Sequence, residues 1–502
     1  MSKKGRKKSS NKKVGKSGRT TTSPNLTFES DQLPDNFTRQ LESDHPLYAR
    51  SLLEALHTTQ PPSIRLNPLK AHQIEESVYT EHLPIMSETV PWEPMARYLS
   101  DRPSFTLDPL FHAGMYYVQE ASSMTIGAVV RQIRKHLRGM IRVLDLSAAP
   151  GGKSTHLASV LSENDLLVCN EVIRSRATIL TENITKWGAA NVVVTGNDPD
   201  HFTGLGPWFD VVIVDAPCSG EGLFRKDPGA IAHWSPDAVQ HCALRQNRIL
   251  DAVWPVIKPG GYLIYSTCTY NRDENDDQIA RLLCQGDATS HRIDSSVFSG
   301  VVEECMRVET EKWTEFGLET DTMPFWMYRC LPGQIRGEGL TFSVLQKSDH
   351  APVDWSGSNY YSKNKLERCE ANALATFLRN DTEWVGVRNE KREWIVPQNL
   401  QDYIIQLSET LNILHAGIEA GDASRPPHGL AMSASLKRGF IPEIELDRTD
   451  ALQYLRRESI AIDPGYEGIQ MMCYKGVPLG FGKAVRGRLN NIYPMEWRIR
   501  MR

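Results

Sequence analysis

No apolar run in this chain approaches the roughly 20 residues that a bilayer-spanning helix requires, so a membrane-spanning role is excluded. The basic N-terminus has no apolar stretch behind it and is not a secretory signal. The nine cysteines include no C-x-x-C pair and no Cys/His cluster at zinc spacing. That argues against a structural zinc site or any other metal site, and against a disulfide framework. It leaves free thiols suited to a reducing, cytoplasmic compartment. Acid is missing altogether from residues 1–20, which hold nine Lys/Arg, so the remaining residues carry 48 Lys/Arg against 61 Asp/Glu, a balance of −13. Almost without apolar residues, the tail is expected to be disordered. It serves either as an electrostatic arm for RNA or as a solubilising extension, with a nuclear localisation signal a weaker third reading.

At 502 residues the chain exceeds one core, and two to four domains are expected. Hydrophobic content of 40% and charge of 24% are ordinary for a globular protein. From residue 142 onward, apolar strand-like runs alternate with helical ones: "RVLDL", 153–161, "LLVCNEV", 174–187, "NVVVT", "DVVIVDAP", 236–257, "YLIYSTCT" and 274–283. Uninterrupted apolar strands separated by helices predict an α/β domain with a mainly parallel sheet covered on both faces. "FWMYRC" and "LTFSVLQ" predict a late strand pair, and "SIRLNPLK" and "SLLEALHTT" an earlier strand and helix. The polar stretch 347–364 reads as a linker.

The segment "VLDLSAAPGGKSTHLA" (143–158) is ambiguous. Gly152, Lys153 and Ser154 fit a phosphate-binding loop, and "DVVIVDAP" resembles a strand ending in a magnesium-holding acid. Ser147, however, stands where the first loop glycine belongs, and that glycine permits the tight wrap around phosphate. Glu171 ends the next strand, where an acid accepts both hydroxyls of an adenosine ribose, and Asp198 follows the third strand, placed for the adenine edge. Acids holding a nucleoside without a polyphosphate suggest S-adenosylmethionine. A P-loop NTPase remains the rival reading.

Two cysteines follow adjacent predicted strands: Cys218 in "VDAPCSGEGLFRKDP" and Cys268 in "YSTCTYNRDEN". Both lie among polar turn residues, unlike Cys169 inside an apolar strand, which suits a buried hydrophobe. A methyltransferase needs a thiol when its target is carbon 5 of cytosine. Addition of a thiolate to carbon 6 turns carbon 5 into an enamine-like nucleophile, while an acid at N3 and the exocyclic amine draws electron density from the ring. Asp215 is placed to be that acid. The two thiols supply a nucleophile and a group that assists release, in an order these residues leave open.

At these residues the chain resembles the RNA 5-methylcytosine methyltransferase family of bacterial ribosomal RNA enzymes and Nop/Sun proteins. The matching text is "LDLSAAPGGKST", "NEVIRSRATILTENITKWGAANV", "VDAPCSGEGLFRKDP", "KPGGYLIYSTCT", "ENDDQ" and, upstream, "IRLNPLK" and "YYVQEASSM". "HGLAMS", "ALQYLRRESI" and "GVPLGFGKAVRGRLNNIYP" resemble the F-type branch, which modifies small-subunit (16S) ribosomal RNA. The resemblance implies a Rossmann-like, seven-stranded S-adenosylmethionine-dependent domain, a small N-terminal α/β region and a C-terminal PUA-like β-rich RNA-binding domain. It implies that Ser147, Ala148, Ala149, Pro150, Gly151, Gly152 and Lys153 wrap the donor, with Glu171 on the ribose, Asp198 on the adenine and Asp215 serving both donor and base. Cys268 would be the nucleophile, and Cys218 would assist elimination.

The division that follows is a basic tail (1–30), an N-terminal RNA-binding region (31–110), the methyltransferase domain (111–348), a linker (349–364) and a C-terminal RNA-binding region (365–502). Arg225 and Lys226, on a loop beside Cys218, are candidate phosphate contacts. So are Lys483, Arg486 and Arg488, in a C-terminal segment whose charges interleave with Tyr474, Phe481, Tyr493 and Trp497. A monomer is the default. A transfer RNA target and a non-catalytic ribosome-assembly factor on the same fold are the remaining alternatives.

Overall fold

The computed structural model describes residues 33–71, 83, 85–308, 324–351, 362 and 364–501. The basic tail, Arg502 and all but five residues of the stretch 349–364 lie outside the described residues. Seven strands carry the centre of the molecule: β1 (Arg142–Asp145), β2 (Leu166–Asn170), β3 (Val192–Thr195), β4 (Phe209–Asp215), β5 (Ile257–Thr267), β6 (Pro324–Cys330) and β7 (Leu340–Lys347). Their order across the sheet is β6-β7-β5-β4-β1-β2-β3, with β5, β4, β1, β2 and β3 parallel and β7 antiparallel to β5. Three further strands join them: Val302–Arg307 beside β6, Ala288–Ser290 on β7, and Ile413–Ala416 antiparallel to β3.

The apolar runs divide by strand parity, because successive side chains point to opposite faces. Leu144, Val168, Val193, Val212 and Leu263 enter one core, and Val143, Leu167, Val192, Val211 and Ile264 the other. The helix expected over 236–257 ends at Val253, and a 3-10 turn, Trp254–Val256, leads into β5. Lys258-Pro259-Gly260-Gly261 lies inside β5 as an irregularity in its pairing with β4, where Phe209 faces Ile257 but Val211 faces Tyr262. The Pro-Gly-Gly punctuation therefore makes a bulge.

Strand order reverses between β1 and β4, and ligands of open α/β sheets lie at the carboxyl ends of such strands. Helix α1 (Gly152–Val160) leaves β1 there, α2 (Arg174–Trp187) leaves β2, and α3 (Pro236–Val253) precedes β5. A four-stranded antiparallel N-terminal sheet (Ser63–Leu66, Met86–Val90, Glu93–Leu99, Tyr116–Val118) covers the donor side. Arg65, inside the apolar strand "SIRL", reaches across from it, donating to Thr155 Oγ1 (2.7 Å) on α1 and lying over the Trp187 ring of α2 (4.4 Å). Burial lowers its pKa to about 9.

The C-terminal five-stranded sheet is not a detached appendage. Ile444, Tyr454, Met472 and Tyr493 share one core with Ile64, Leu110 and Tyr116 of the N-terminal region. At this junction His428 is half-buried, with its ring edge-on to Tyr493 (5.0 Å) and Trp497 (4.8 Å) and both nitrogens shielded and unpartnered among the described residues. Burial, then Lys186 and Lys70, lowers its pKa to about 3. The unfolded chain, with an ordinary histidine, therefore binds a proton that the folded chain refuses. The stability from the neutral ring is complete above pH ~6.5 and is lost as pH falls toward 3, by about 1 kcal/mol per unit. His428→Phe should accordingly show a shallower loss of melting temperature between pH 6.5 and 4 than the wild type; parallel curves would refute this.

Candidate active site

The loop of the expected donor residues starts after Asp145, the last residue of β1. Its Oδ2 accepts from Ser154 (2.6 Å), Oδ1 has no partner among the described residues, and burial raises the carboxyl to about 7. Gly151, at φ +114°, turns the chain into α1 in a conformation that a side chain would strain. Ser147, Ala148, Ala149, Pro150, Gly152 and Lys153 line one wall of a cavity of about 220 Å³, with Asp215 at its edge and Tyr117, Gln119 and Glu120 opposite. Glu171 is buried just past β2, with Oε1 taken by the Ile173 N–H (2.9 Å) and Oε2 3.4 Å from Arg176. It borders a second opening of about 1170 Å³, closed off by Lys365, Arg388 and Leu414. Asp198 caps the 3-10 helix Pro199–Leu205, and Arg248 of α3 forks onto its carboxylate (3.1 and 3.2 Å).

The groups that a triphosphate would need are already engaged. The Lys153 ammonium lies 2.8 Å from Asp215 Oδ2. Burial alone would lower it, but Asp215, Asp145 and Cys268 outweigh burial and hold it charged, above the usual lysine value. In the loop, the Ala148 N–H is spent on the Asn170 carbonyl (2.9 Å).

The two thiols meet. Cys218, after β4, and Cys268, after β5, place their sulfurs 3.1 Å apart, and both are free. The hydrogen bond to Cys268 raises the Cys218 thiol well above the ordinary range, with burial and the charge of Glu274 adding to it. Cys218 therefore keeps its proton beside Cys268. Asp215 Oδ1, on the same rim, accepts from Ser266 (3.0 Å).

Sequence reasoning missed what holds the thiols there. Glu274 is buried and accepts from Ser219 N (3.0 Å), Ser219 Oγ, Gln246 Nε2 (2.8 Å) and Asn271 Nδ2 (2.9 Å). Glu221, raised by burial to about 7, accepts from Trp234 Nε1, Tyr270 N and both nitrogens of Asn271. Thr267 and Thr269, flanking Cys268, bond to each other (2.7 Å), and Thr267 also bonds to Asn275. The available signal was an acid within six residues of each cysteine in a polar strand-end loop.

The proposed RNA contacts fare unevenly. Arg225 is withdrawn from solvent, its side chain 3% exposed, paired with Glu338 (3.0 Å) and donating to the Gly337 carbonyl. The expectation of a phosphate grip is corrected here, because its charge is consumed in tying the Cys218 loop to the segment before β7. Lys226 shares Glu338 (3.2 Å) but stays 49% exposed. Lys483, Arg486 and Arg488 are exposed on a hairpin of Val477–Val485 and Arg488–Asn491, which turns at Arg486 (φ +50°) and Gly487 (φ +76°). The interleaved aromatics are not a stacking platform. Tyr474, Phe481 and Tyr493 are buried, and Trp497 packs on His428, so alternation put the rings in the core and the charges outside.

Three family models match the chain. Residues 136–346 match 16S rRNA methyltransferase RsmB/F, residues 33–121 match the N-terminal domain of 16S rRNA methyltransferase RsmF, and residues 441–499 match the methyltransferase RsmF PUA domain. Among curated proteins, the ribosomal RNA small subunit methyltransferase F of Shewanella loihica is 28% identical over 480 residues, covering 93% of this chain and 95% of its own. That of Aliivibrio salmonicida is 28% identical over 477 residues, covering 92% and 97%. The crystal structure of PH0851 superposes with a TM-score of 0.51 at 21% identity over 65% of this chain and 70% of its own, a likeness of fold.

Proposed function

The chain belongs to the 16S rRNA methyltransferase RsmB/F family, and from that premise we propose that it methylates carbon 5 of one cytidine in small-subunit ribosomal RNA, with S-adenosylmethionine as donor. The observation that carries this reading is the pair of thiols 3.1 Å apart beside Asp215 and the donor loop. A transferase that needed only proximity would have no use for two sulfurs there.

The donor fits the residues present. Glu171 would take the ribose hydroxyls, and Asp198 Oδ2 keeps acceptor capacity for the adenine amine. The unpartnered Asp145 Oδ1 and the 220 Å³ cavity lie on the methionine side. When bound, the donor supplies an electrophilic methyl on a sulfonium.

The chain's own residues do the rest. The Cys268 thiolate adds to carbon 6 of the cytosine, and the ring's electron pair moves to carbon 5. Asp215, steadied by Lys153 and Ser266, holds the base edge at N3 and the exocyclic amine. Carbon 5 takes the methyl. Its proton then leaves to water, the carbon 5–carbon 6 double bond reforms, and Cys268 is expelled, its departing sulfur taking a hydrogen bond from the protonated Cys218 thiol. Lys226 and the hairpin of Lys483, Arg486 and Arg488 offer charge to the RNA backbone.

The test is incubation of the protein with labelled-methyl S-adenosylmethionine and small ribosomal subunits lacking base methylation, followed by nucleoside mass spectrometry. Labelled 5-methylcytidine is expected. Donor binding without transfer would move the substrate to transfer RNA or the large subunit, and no donor binding would remove the reading.

A further inference from the structure

The loop after Cys218 is held on both sides of Leu223. Upstream, Ser219 and Glu221 are tied as described above, and the Gly222 N–H donates to the Cys268 carbonyl (2.7 Å). Downstream, the Phe224 ring is buried 5.0 Å from that of Phe37, and Arg225 is paired with Glu338. Leu223 itself is bonded through its backbone in both directions. Its N–H goes to the Gly220 carbonyl (2.9 Å), and its carbonyl takes the N–H groups of Lys226 (2.8 Å) and Asp227 (2.9 Å).

The Leu223 side chain is the exception in this buried turn. Glu221 and Phe224 are 1% exposed, whereas Leu223 is 44% exposed. It lies over Gly220: a Cβ on that glycine, two residues from Cys218, would lie 3.6 Å from Leu223 Cδ1. The residue before it touches the nucleophile's backbone, and a Cβ on Gly222 would lie 3.5 Å from Cys268 Cβ. A branched apolar side chain thus stands exposed on a pinned turn whose backbone is bonded to Cys268.

We propose that Leu223 is a wedge that occupies the space a target cytosine vacates when it turns out of its stack toward Cys268. The inference rests on the RNA-methylating reading of the same site. A stacked base cannot present carbon 6 to a sulfur, so the base must leave its neighbours, and the flanking bases then lose their stacking contacts. A side chain that compensates them has to be apolar, thick enough to replace a base, and mounted on backbone that does not recoil. Leu223 meets all three requirements, on a turn bonded to the backbone of Cys268. Single exposed leucines are common on protein surfaces; this one is distinguished by its rigid mount and its place beside the nucleophile. Leu223 is a positioning residue, since it acts on the base's neighbours and not on the reacting atoms.

The test compares wild type, Leu223→Ala and Leu223→Met in single-turnover methylation. The probe is a short RNA hairpin around the cytidine mapped in the subunit experiment, made with the target paired to guanosine or set opposite an abasic residue. Leu223→Ala should slow transfer about 10- to 100-fold on the paired target and less than about threefold on the abasic-opposed one, where little stacking is left to compensate. Leu223→Met should stay near wild type on both. Alkylation of Cys268 by iodoacetamide should proceed at the wild-type rate in all three proteins. An equal loss on both RNAs, or no loss on either, would overturn the wedge while leaving the methylation reading intact. A wild-type protein that methylates neither the hairpins nor the subunits would overturn that reading, and the wedge with it.

Discussion

Replacing Cys218 with alanine should leave the protein covalently joined to its RNA. The adduct should survive a denaturing gel, and turnover should fall by about 10³-fold or more, because release is blocked after the carbon 6 bond forms. Cys268→Ala should give neither adduct nor methylated product. The geometry supports this division. The two sulfurs are 3.1 Å apart, and the Cys218 thiol, bonded to Cys268 and close to Glu274, holds its proton. Adduct trapped by the Cys268 variant would reverse the two roles. Trapping by neither, with methylation retained, would refute the covalent route.

Glu274→Ala should be the most damaging change that touches neither thiol. It would take an acceptor from four donors, leaving Ser219 N and Ser219 Oγ without it, while Gln246 Nε2 keeps the Pro217 carbonyl and Asn271 Nδ2 keeps Glu221. Unsatisfied buried donors cost about 1–3 kcal/mol each, and water entering the gap recovers part of this, so a stability loss of about 3–5 kcal/mol is expected in urea unfolding. The transfer rate should fall at least about 100-fold as the Cys218 loop loosens, since small misplacements of reacting groups are costly. Donor affinity, read by calorimetry, should change less than about threefold, because the donor elements sit on β1 and β2. A parallel loss of donor affinity would show that Glu274 supports the whole rim and not the thiol loops in particular.

The small-residue turn after β1, the acids at the strand ends and the two cysteines could be placed from the chain because each is local. A strand end, a small-residue turn and a helix start are written in consecutive residues, and the order of strands then brings their ends to one rim. Glu274 and Glu221 were not read, although both stand in motifs that were quoted. Their role depends on which donors converge on them, and those donors come from residues up to 55 positions away. Arg225 was misread for the same reason. In the sequence it is a charge on a glycine-flanked loop, and only the approach of Glu338, 113 positions on, turns it inward. The C-terminal aromatics present the same difficulty, since alternating rings and charges suit both a stacking surface and a strand buried on one face.

The sequence by itself determined the parallel α/β core, the place of the donor loop at the end of its first strand, and the presence of two thiols on neighbouring strand ends. Those follow from hydrophobic periodicity and turn chemistry, which act over a few residues. Only the tertiary structure decided that Lys153 pairs with Asp215, that the strand Ile413–Ala416 extends the central sheet, and that the C-terminal sheet shares a core with the N-terminal one. It also decided that Leu223 faces out between the buried Glu221 and Phe224. Burial and charge pairing between distant segments are properties of the packed molecule, and no window of the chain contains both partners.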